Sequence, residues 1–425
     1  MAIEAGAKLI ERGRSSTLAI NLRHLHVLCA VADAGSIAQA AGSLYRVSSA
    51  VARSIAELEV LLGVALFERH SRGMVPNANG EIVLVRARRI ERQFDEARQQ
   101  LIARGGVRSG SDVQGLFASI MNGRRLAVIT HLVDRLSMAA VARELSITQP
   151  AISTAVKDLE TRLGVTLFER TVRGLVPTVA ADILALHFKR VLAELRHIAS
   201  DLAASEGSLQ GSIHVGALPL GRTDVLPRAI AAMLTRHPQL HVATVESPYE
   251  ALAASVRSGE IDFILGALRE PADAKELVQE ALFEDQLSVI ARAGHPLVRA
   301  RRIDFDVLRR ATWVLSRAGS PSRERFETFF SEARQPPPIP AVETGDLAVL
   351  RGLLLETDIL TAISAQQLRY EICDGSLVAL DFPLERTRRQ IGISQRLGAF
   401  PSPGANALME EIRQVVKQSP DRKPR

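Results

Sequence analysis

Apolar positions in the segment from 123 to 164 recur every three or four residues and predict three consecutive amphipathic helices. Ser137 and Thr148 precede the second and third helices, where hydroxyl side chains suit the helix N-cap. Gly164 follows the third helix and suits a left-handed helix stop. The run VTLFER then predicts a short strand, and a turn at Arg173 leads into a second strand. Three helices followed by a two-stranded wing predict a winged helix-turn-helix domain.

The same pattern occurs earlier in the chain. An ungapped alignment of Ser36–Pro76 with Ser137–Pro177, 101 positions later, gives 18 identities in 41 positions, and LGVALFER recurs as LGVTLFER. A repeat of this length predicts a duplicated structural unit. Each copy is followed by a long helical run with an apolar stripe, at 81–104 and at 181–206. Such a stripe indicates packing against another helix, either within the chain or in a second chain.

The third helix of the second copy carries short polar side chains that suit base edges in a major groove, and arginines near the wing turn suit phosphates. The candidate DNA-binding residues of this copy are Thr148, Gln149, Pro150, Ser153, Thr154, Lys157, Arg170 and Arg173. The first copy carries Val47 and Ala52 in place of Thr148 and Ser153. Its candidates are Ser48, Ser49, Arg53, Arg69 and Arg72. The first copy therefore reads a different sequence, binds phosphate with little discrimination, or does not bind DNA.

In the last half of the chain, short apolar strands alternate with amphipathic helices, which predicts parallel sheets with helices on both faces. We expect subdomain one at about 211–291 and 390–420, and subdomain two at about 296–389. The chain should cross between them near Ala291–Pro296 and return near Gln390–Gln395. Ligands of open α/β sheets bind beyond the strand C-termini, beside helix N-termini. The candidate ligand-binding residues in those loops are Leu220, Gly221, Arg222, Thr223, Ser247, Arg269, Ser316 and Thr361.

The second copy contains the motif S-x-A-x-V-A-x-x-L-x-x-T-Q-P-A-I-S-x-x-V-x-x-L-E-x-x-L-G-V-x-L-F-E-R-x-x-R-G. This motif resembles the N-terminal signature of the LysR-type transcriptional regulators, and the resemblance extends over roughly residues 123–420. It implies a multidomain α plus α/β protein with a C-terminal two-subdomain effector domain of periplasmic-binding-protein type. The chain departs from the family pattern by its additional winged unit in front. Ala181 also stands where the family usually has glycine, and Leu220 and Gly221 stand where serine or threonine is common.

The resemblance further implies a sequence-specific transcriptional regulator controlled by a small-molecule effector in the C-terminal cleft. Its expected partners are double-stranded DNA, an effector with organic acids among the candidates, and further copies of the chain in a homodimer or homotetramer. In the family, the linker helix pairs two chains. The predicted domains are a first winged helix-turn-helix (21–80), a first linker helix (81–104), a flexible join (105–122), a second winged helix-turn-helix (123–180), a second linker helix (181–206) and the effector domain (211–420).

The composition changes this picture little. Lys and Arg number 53 against 47 Asp and Glu, and the net charge of +6 is compatible with a polyanion partner. No run of eighteen apolar residues or secretory pattern occurs, and Cys29 and Cys373 indicate neither disulfides nor a metal site. We therefore expect a cytoplasmic protein without a cofactor. Catalytic motifs such as G-x-S-x-G and H-E-x-x-H are absent, so no enzyme is expected.

Two alternatives remain beside the leading interpretation. In the first, only the second winged unit contacts DNA and the first unit is a scaffold. In the second, more remote alternative, the α/β half serves as a solute-binding protein or an enzyme. The sequence does not separate a scaffold from a second reader, because the repeat preserves the packing positions while changing the exposed ones.

Overall fold

The computed structural model describes residues 20–70, 73–104, 123–172 and 174–419, and within them two similar helical units precede an α/β half. The first unit comprises α1 (Leu22–Ala34), α2 (Ile37–Ser43), α3 (Ser48–Leu62), β1 (Phe67–His70) and β2 (Gly73–Pro76), followed by the long helix α4 (Ala78–Ala103). The second comprises α5 (Gly123–Arg135), α6 (Met138–Glu144), α7 (Gln149–Leu163), β3 (Phe168–Thr171) and β4 (Gly174–Pro177), followed by α8 (Val179–Ser205). The predicted flexible join, 105–122, lies outside the described residues.

Both units form the same corner between the third helix and the wing. The third helix ends in a left-handed glycine in each unit, at Gly63 and at Gly164. In the first unit the Glu59 carboxylate accepts a hydrogen bond from the backbone N–H of Leu66 at 2.7 Å. Glu160 accepts the equivalent bond from Leu167 at 2.7 Å. The repeated phrase LGVxLFER therefore persists because it encodes the helix stop and the first residues of the wing.

The predicted helix caps of the second unit are confirmed. Ser137 accepts a hydrogen bond from the N–H of Ala140, and Thr148 accepts one from the N–H of Ala151. These bonds satisfy amides that have no partner within the first turn of a helix. The local sequence thus specified where α6 and α7 begin.

The two long helices, α4 and α8, pack against each other within one chain and run antiparallel. The Phe94 ring on α4 meets the Phe188 ring on α8 edge-on, with 6.2 Å between centroids. Nearer the start of α4, Arg86 bonds to Glu194, which lies further along α8 than Phe188. Their apolar stripes and the cores of both units form one continuous cluster of buried residues. The resemblance implied that α8 pairs with a second chain, but α4 of the same chain covers its stripe here.

The α/β half contains two five-stranded sheets. In chain order its elements are β5 (Gly211–Ala217), α9 (Pro219–Thr223), α10 (Val225–Arg236), β6 (Leu240–Val245), α11 (Tyr249–Ser258), β7 (Phe263–Ala267), β8 (Leu277–Asp285), β9 (Leu287–Arg292), α12 (Phe305–Arg310), β10 (Thr312–Leu315), α13 (Pro321–Glu332), β11 (Val342–Glu343), α14 (Leu347–Glu356), β12 (Ile359–Ser364), α15 (Arg369–Cys373), β13 (Leu377–Pro383), β14 (Arg389–Arg396) and α16 (Pro403–Lys417). The strand orders are β6-β5-β7-β14-β8 and β11-β10-β12-β9-β13.

Two expectations about this half are wrong. The sheets are mixed rather than parallel, because β14 pairs antiparallel with β7 and β8, and β9 pairs antiparallel with β12 and β13. The strand β9 belongs to the second sheet, so the chain first crosses at Gln286 and not near Ala291–Pro296. It returns between Pro383 and Arg389, before the predicted Gln390–Gln395. Strand patterning identifies a strand, but pairing in three dimensions decides its sheet.

In the described part of the chain, no single helix is long and apolar enough to cross a membrane. One bent pair, α1 with α2, meets the length and composition criteria only when its two helices are counted together.

Candidate DNA interface and effector cleft

One face of α7 carries the polar side chains predicted to read DNA. Ile152, Val156 and Leu159 are buried against the rest of the second unit. Because the helix turns every 3.6 residues, the positions between them face solvent. The exposed candidates are Thr148, Gln149, Pro150, Ser153, Thr154 and Lys157. The structure thus brings these predicted residues together on one accessible surface.

The wings are the second predicted element of DNA contact. Arg170 lies in β3, is exposed, and pairs across the hairpin with Leu175. Arg173 and Arg72 lie outside the described residues. Arg69 lies in β1, where its backbone pairs with β2. Of the predicted wing arginines, Arg170 is therefore the one whose side chain the described part of the chain places.

The corresponding helix of the first unit, α3, has the same buried face but a different exposed face. Val51, Ile55 and Leu58 are buried. Its exposed candidates are Ser48, Ser49 and Arg53. Val47 precedes the helix without a side-chain cap, and Tyr45, which sequence reasoning missed, is 94% exposed in the turn before it. The first unit therefore presents a different surface around the first turns of α3, on which the Tyr45 ring and the Arg53 cation are exposed.

In the loop predicted to bind a ligand, residues 220–223, two of the four predicted residues are buried in the protein core. Leu220 is buried in the core of the first subdomain. Gly221 is also buried, and a Cβ atom at this position would lie 2.9 Å from the carbonyl oxygen of Leu265. These two residues therefore support the packing of α9 on β7, and their side chains do not offer polar groups to a ligand.

The end of α9 contacts the second subdomain. The Thr223 hydroxyl donates a hydrogen bond to the carbonyl oxygen of Gln366 at 3.4 Å. The next residue, Asp224, accepts one from the Arg369 guanidinium at 3.1 Å. Arg222 is half-buried beside them. These polar contacts connect the two subdomains.

A second polar cluster lies where the chain passes between subdomains. Asp285, at the end of β8, accepts hydrogen bonds from the Ser364 hydroxyl and from the Arg389 guanidinium, the latter at 3.0 Å. Arg389 also donates to the Ser322 hydroxyl in the first turn of α13 at 2.9 Å. Burial raises the pKa of Asp285 although Arg389 and Ser364 act in the opposite direction. One carboxylate thus joins both sheets at the hinge.

Close to this cluster, Arg269 has the character of an anion-binding residue. Its guanidinium lies 4.3 Å from the centre of the Tyr249 ring, and Gln279 fixes its backbone through two hydrogen bonds of 2.9 and 2.8 Å. Burial lowers the pKa of Arg269, and the nearby Arg389 charge adds to this. The charges of Glu250 and Asp273 oppose this lowering, although neither forms a salt bridge with Arg269 among the described residues, and the buried Tyr249 hydroxyl has no hydrogen-bond partner there. A half-buried cation without a directly paired carboxylate favours a bound anion.

The remaining candidates are scattered. Ser247 is exposed and Ser316 is half-buried. Thr361 is completely buried in β12, on the sheet face where Ile359 and Ile363 join the core beneath α14. Its hydroxyl has no partner among the described residues. Thr361 is therefore enclosed in the second subdomain and not exposed on its surface.

Comparisons with known proteins decide the family. The model described as "Bacterial regulatory helix-turn-helix protein, lysR family" matches residues 22–81 and again residues 124–182. The model "LysR substrate binding domain" matches residues 206–417. The chain is 44% identical over 398 residues to the HTH-type transcriptional regulator GalR of Pseudomonas putida, covering 94% of this chain and 98% of that protein. The chain belongs to the LysR family.

Two further similarities concern less of this LysR-type chain. GbpR of Azospirillum brasilense, an HTH-type transcriptional regulator, is 28% identical over 291 residues, covering 68% of this chain and 85% of GbpR. A full-length variant of OxyR from Pseudomonas aeruginosa superposes with a TM-score of 0.55 at 23% identity, covering 72% of this chain and 99% of that one. The OxyR comparison supports the fold alone. The chain is thus a DNA-binding transcriptional regulator with a substrate-binding effector domain, and its family matches and relatives are regulators rather than enzymes.

Within the described residues of this LysR-type regulator, no group of three or more His, Cys, Asp or Glu side chains could hold a metal ion. A groove of about 420 Å³ opens between the second winged unit, α8 and the end of α11. Lys189 in this groove pairs with Asp134 at 2.8 Å and with Glu260 at 3.2 Å. It therefore joins the second winged unit to the effector domain through paired charges.

Sequence reasoning missed Tyr249, Asp285 and Arg389, although they contribute most of the polar chemistry around Arg269. No local signal identified them, because Tyr249 reads as the start of an amphipathic helix and Arg389 as one of several arginines near the second crossing. Asp285 and Arg389 lie 104 positions apart in the chain. Only the mixed pairing of β8 with β14 makes them neighbours.

Proposed function

We propose that the second winged unit is the principal sequence reader, with α7 in the major groove and Arg170 on the phosphate backbone. The observation that carries this assignment is the continuous polar face of α7, which begins with Gln149 and lies opposite a fully buried apolar stripe. An amide at Gln149 suits a bidentate contact with adenine, and Ser153 and Thr154 lie one turn further along. Contacts from the wing would fix the register of the helix without specifying sequence.

The test compares Gln149→Ala with Thr161→Ala on a panel of operator variants. Thr161 is exposed in the last turn of the same helix, so its truncation serves as a matched control. Gln149→Ala should relax discrimination at one base position by about 1–3 kcal/mol, or roughly 5–150-fold, and Thr161→Ala should leave it unchanged. A Gln149→Ala protein that ranks every operator as the wild type does would remove the assignment.

The effector in this proposal is a small organic acid whose carboxylate pairs with Arg269 beneath the Tyr249 hydroxyl. Support comes from the cation without a directly paired carboxylate and from the unpartnered phenol. Ligand binding between the subdomains would favour one degree of closure over another and shift the population of chain conformations. The polar contacts between α8 and the effector domain, such as Arg190 with the carbonyl oxygen of Arg257 at 2.8 Å, would pass the change to the winged units.

Thermal unfolding with benzoate, hydroxybenzoates and short dicarboxylates as probes tests the effector site. A binding acid should raise the Tm of the wild type and of Arg222→Gln, but not that of Arg269→Gln. Arg222 is the control because it is a half-buried arginine in the loop that sequence reasoning favoured. An equal rise in Tm for Arg269→Gln and the wild type would exclude Arg269 from the site.

The finer features of location and assembly belong to the same proposal. We place the regulator in the cytoplasm, where its DNA target would be found. Chains would associate as homodimers or homotetramers through surfaces other than the α4–α8 pair, since that pair is already formed within each chain.

A further inference from the structure

We propose that a single chain is a complete two-headed DNA reader, in which α3 and α7 contact two unequal half-sites of one operator. This inference rests on the proposed role of α7 as a reader and extends it to the first winged unit. Three observations carry it: the symmetry of the α4–α8 pair, the charges buried in that pair, and the different exposed faces of α3 and α7.

The contacts between α4 and α8 have two-fold symmetry when residues 101 positions apart in the chain are treated as equivalent. Gln93 Oε1 lies 3.0 Å from His187 Nδ1, and Arg86 bonds to Glu194 at 2.6 Å. His187 is 101 positions after Arg86, and Glu194 is 101 positions after Gln93, which is the spacing of the repeat. In a two-fold interface, a contact between one residue and another recurs with the roles exchanged. Each of these two contacts is therefore the symmetry image of the other.

The apolar contacts follow the same rule. The rings of Phe94 and Phe188 meet at the helix crossing, and the image of this pair is Ala87 with Leu195. Ala87 and Leu195 are both buried, with at most 1% of their surface exposed. Buried apolar residues thus occupy the symmetry-related positions of both helices within one core cluster, as expected for two equivalent subunits.

This symmetry determines how the two reading helices are displayed. The two-fold axis runs perpendicular to the two antiparallel helices, and a rotation by 180° about it does not change a position along the axis. The rotation relates α3 to α7, so these two helices lie on the same side of the helix pair. The axis passes near Ile90 and Val191, twelve residues after the starts of α4 and α8. At a rise of about 1.5 Å per residue, those two starts lie about 36 Å apart. This separation is on the order of one turn of B-DNA, which is the spacing of half-sites read by paired winged or helix-turn-helix units.

The buried charges favour the unlike pair over pairing of two identical helices. Arg86 is fully buried and has carboxylates from Glu194 and Asp201 against it. A pair of two α4 helices would place Arg86 opposite Gln93 twice and leave both guanidinium groups without a carboxylate. A pair of two α8 helices would place Glu194 opposite His187 twice. Since an unpaired buried charge is costly, α4 is the preferred partner of α8.

The two heads share a scaffold and differ in what they offer to DNA. Where α7 presents Gln149 and Thr154, α3 presents Ser48 and Arg53, all of them exposed. Glutamine pairs best with adenine and arginine with guanine. We therefore assign to the first head a half-site with a guanine opposite Arg53, so the whole operator is not a palindrome.

The first experiment tests the helix pairing without DNA. In full-length protein carrying Cys373→Ser, the exchanges Gln93→Cys and His187→Cys should be joined within one chain by a short bismaleimide cross-linker, because the ends of the replaced side chains touch. The remaining native cysteine, Cys29, is buried. Non-reducing electrophoresis and mass spectrometry of dilute protein should show a cross-linked single chain. A cross-linked dimer would overturn the proposal. The exchanges Ala87→Cys and Leu195→Cys, at the positions that mirror the Phe94–Phe188 contact, provide a second variant should the first one misfold.

The second experiment selects preferred sites from random DNA for wild type, Arg53→Ala, Gln149→Ala and the control Arg88→Ala, whose side chain is exposed on α4. The wild type should select pairs of different half-sites, with one chain bound for each pair of half-sites whatever the oligomeric state. Arg53→Ala should reduce the preference for guanine in one half by about tenfold or more, and Gln149→Ala should relax the other half. Unchanged preferences in Arg53→Ala, or a palindromic site, would overturn the two-headed reader. Unchanged preferences in Gln149→Ala would instead overturn the proposed function of α7.

Discussion

Arg86 on the first linker helix and Glu194 on the second are joined by a hydrogen bond of 2.6 Å, and the Arg86 side chain is fully buried. The same guanidinium also donates to Asp201 at 2.6 Å and to the carbonyl oxygen of Phe400 at 2.6 Å. Burial acts to lower the pKa of Arg86, but the two carboxylates outweigh it and raise the pKa. One side chain therefore ties the first linker helix to the second and to the effector domain.

Replacing Arg86 by methionine should destabilise the chain strongly. The change leaves the carboxylates of Glu194 and Asp201 with less compensation, and loss of one partner from a buried pair typically costs about 3–5 kcal/mol. Urea unfolding measures the difference. Arg88→Met is the control on the same helix, because its pair with Asp33 is exposed and worth about 0–1 kcal/mol. Similar losses for the two variants would contradict a special role for Arg86.

Protonation of His187 should weaken the helix pair in mild acid. Burial, aided by the charges of Arg190 and Arg396, lowers the pKa of His187 to about 4. As pH falls from about 6.5 to 4, the unfolded chain binds a proton that the folded chain does not, so stability falls by at most about 3 kcal/mol. Above pH 6.5 this stabilisation is fully present.

Unfolding free energies at several pH values between 4 and 7.5 check this prediction. His187→Gln should lose stability less steeply than the wild type across that window, because it has no proton to take up at this site. His241→Gln, with an exposed side chain, should follow the wild-type curve. Parallel curves for His187→Gln and the wild type would show that this imidazole does not control the acid response.

An alanine at position 80 should disturb the first winged unit, although the second unit has alanine at the equivalent position. A Cβ atom on Gly80 would lie 2.0 Å from the carbonyl oxygen of Leu66, so the backbone must shift. We expect a loss of about 1–3 kcal/mol for Gly80→Ala. The reciprocal exchange, Ala181→Gly, should cost only about 0.5–1 kcal/mol. Its main effect is to increase the conformational entropy that the unfolded chain loses when the helix forms. Calorimetry of both variants tests the asymmetry, and equal effects would refute it.

Removing the wing cation should weaken binding to all DNA sequences alike. Arg170→Ala deletes one expected phosphate contact, so the slope of log K against log salt should become less negative by about 0.9. Binding isotherms between about 50 and 200 mM salt measure this slope. Arg309→Ala removes an exposed cation from the effector domain and should leave the slope unchanged. A larger loss of affinity for one operator than for random DNA would indicate that Arg170 contacts a base instead.

The sequence by itself determined the winged units and the nature of their exposed faces. Ser137, Thr148 and Gly164 act on the backbone next to them, so their roles can be read without knowing the rest of the fold. The polar face of α7 follows from helical periodicity in the same way. The repeat at 101 positions and the LysR motif extended these local signals to the architecture of the chain.

The tertiary structure decided which surfaces meet. An apolar stripe on α8 requires a cover, but the stripe does not specify whether α4 of the same chain or a helix of another chain provides it. Likewise, the pattern of β9 identified a strand and left its sheet open, which moved the predicted crossing. Arg389 comes near Arg269 from a segment 120 positions further along the chain, because long-range strand pairing sets its neighbours. Local sequence fixes an element and its exposed chemistry, whereas contacts between distant elements depend on packing of the whole chain.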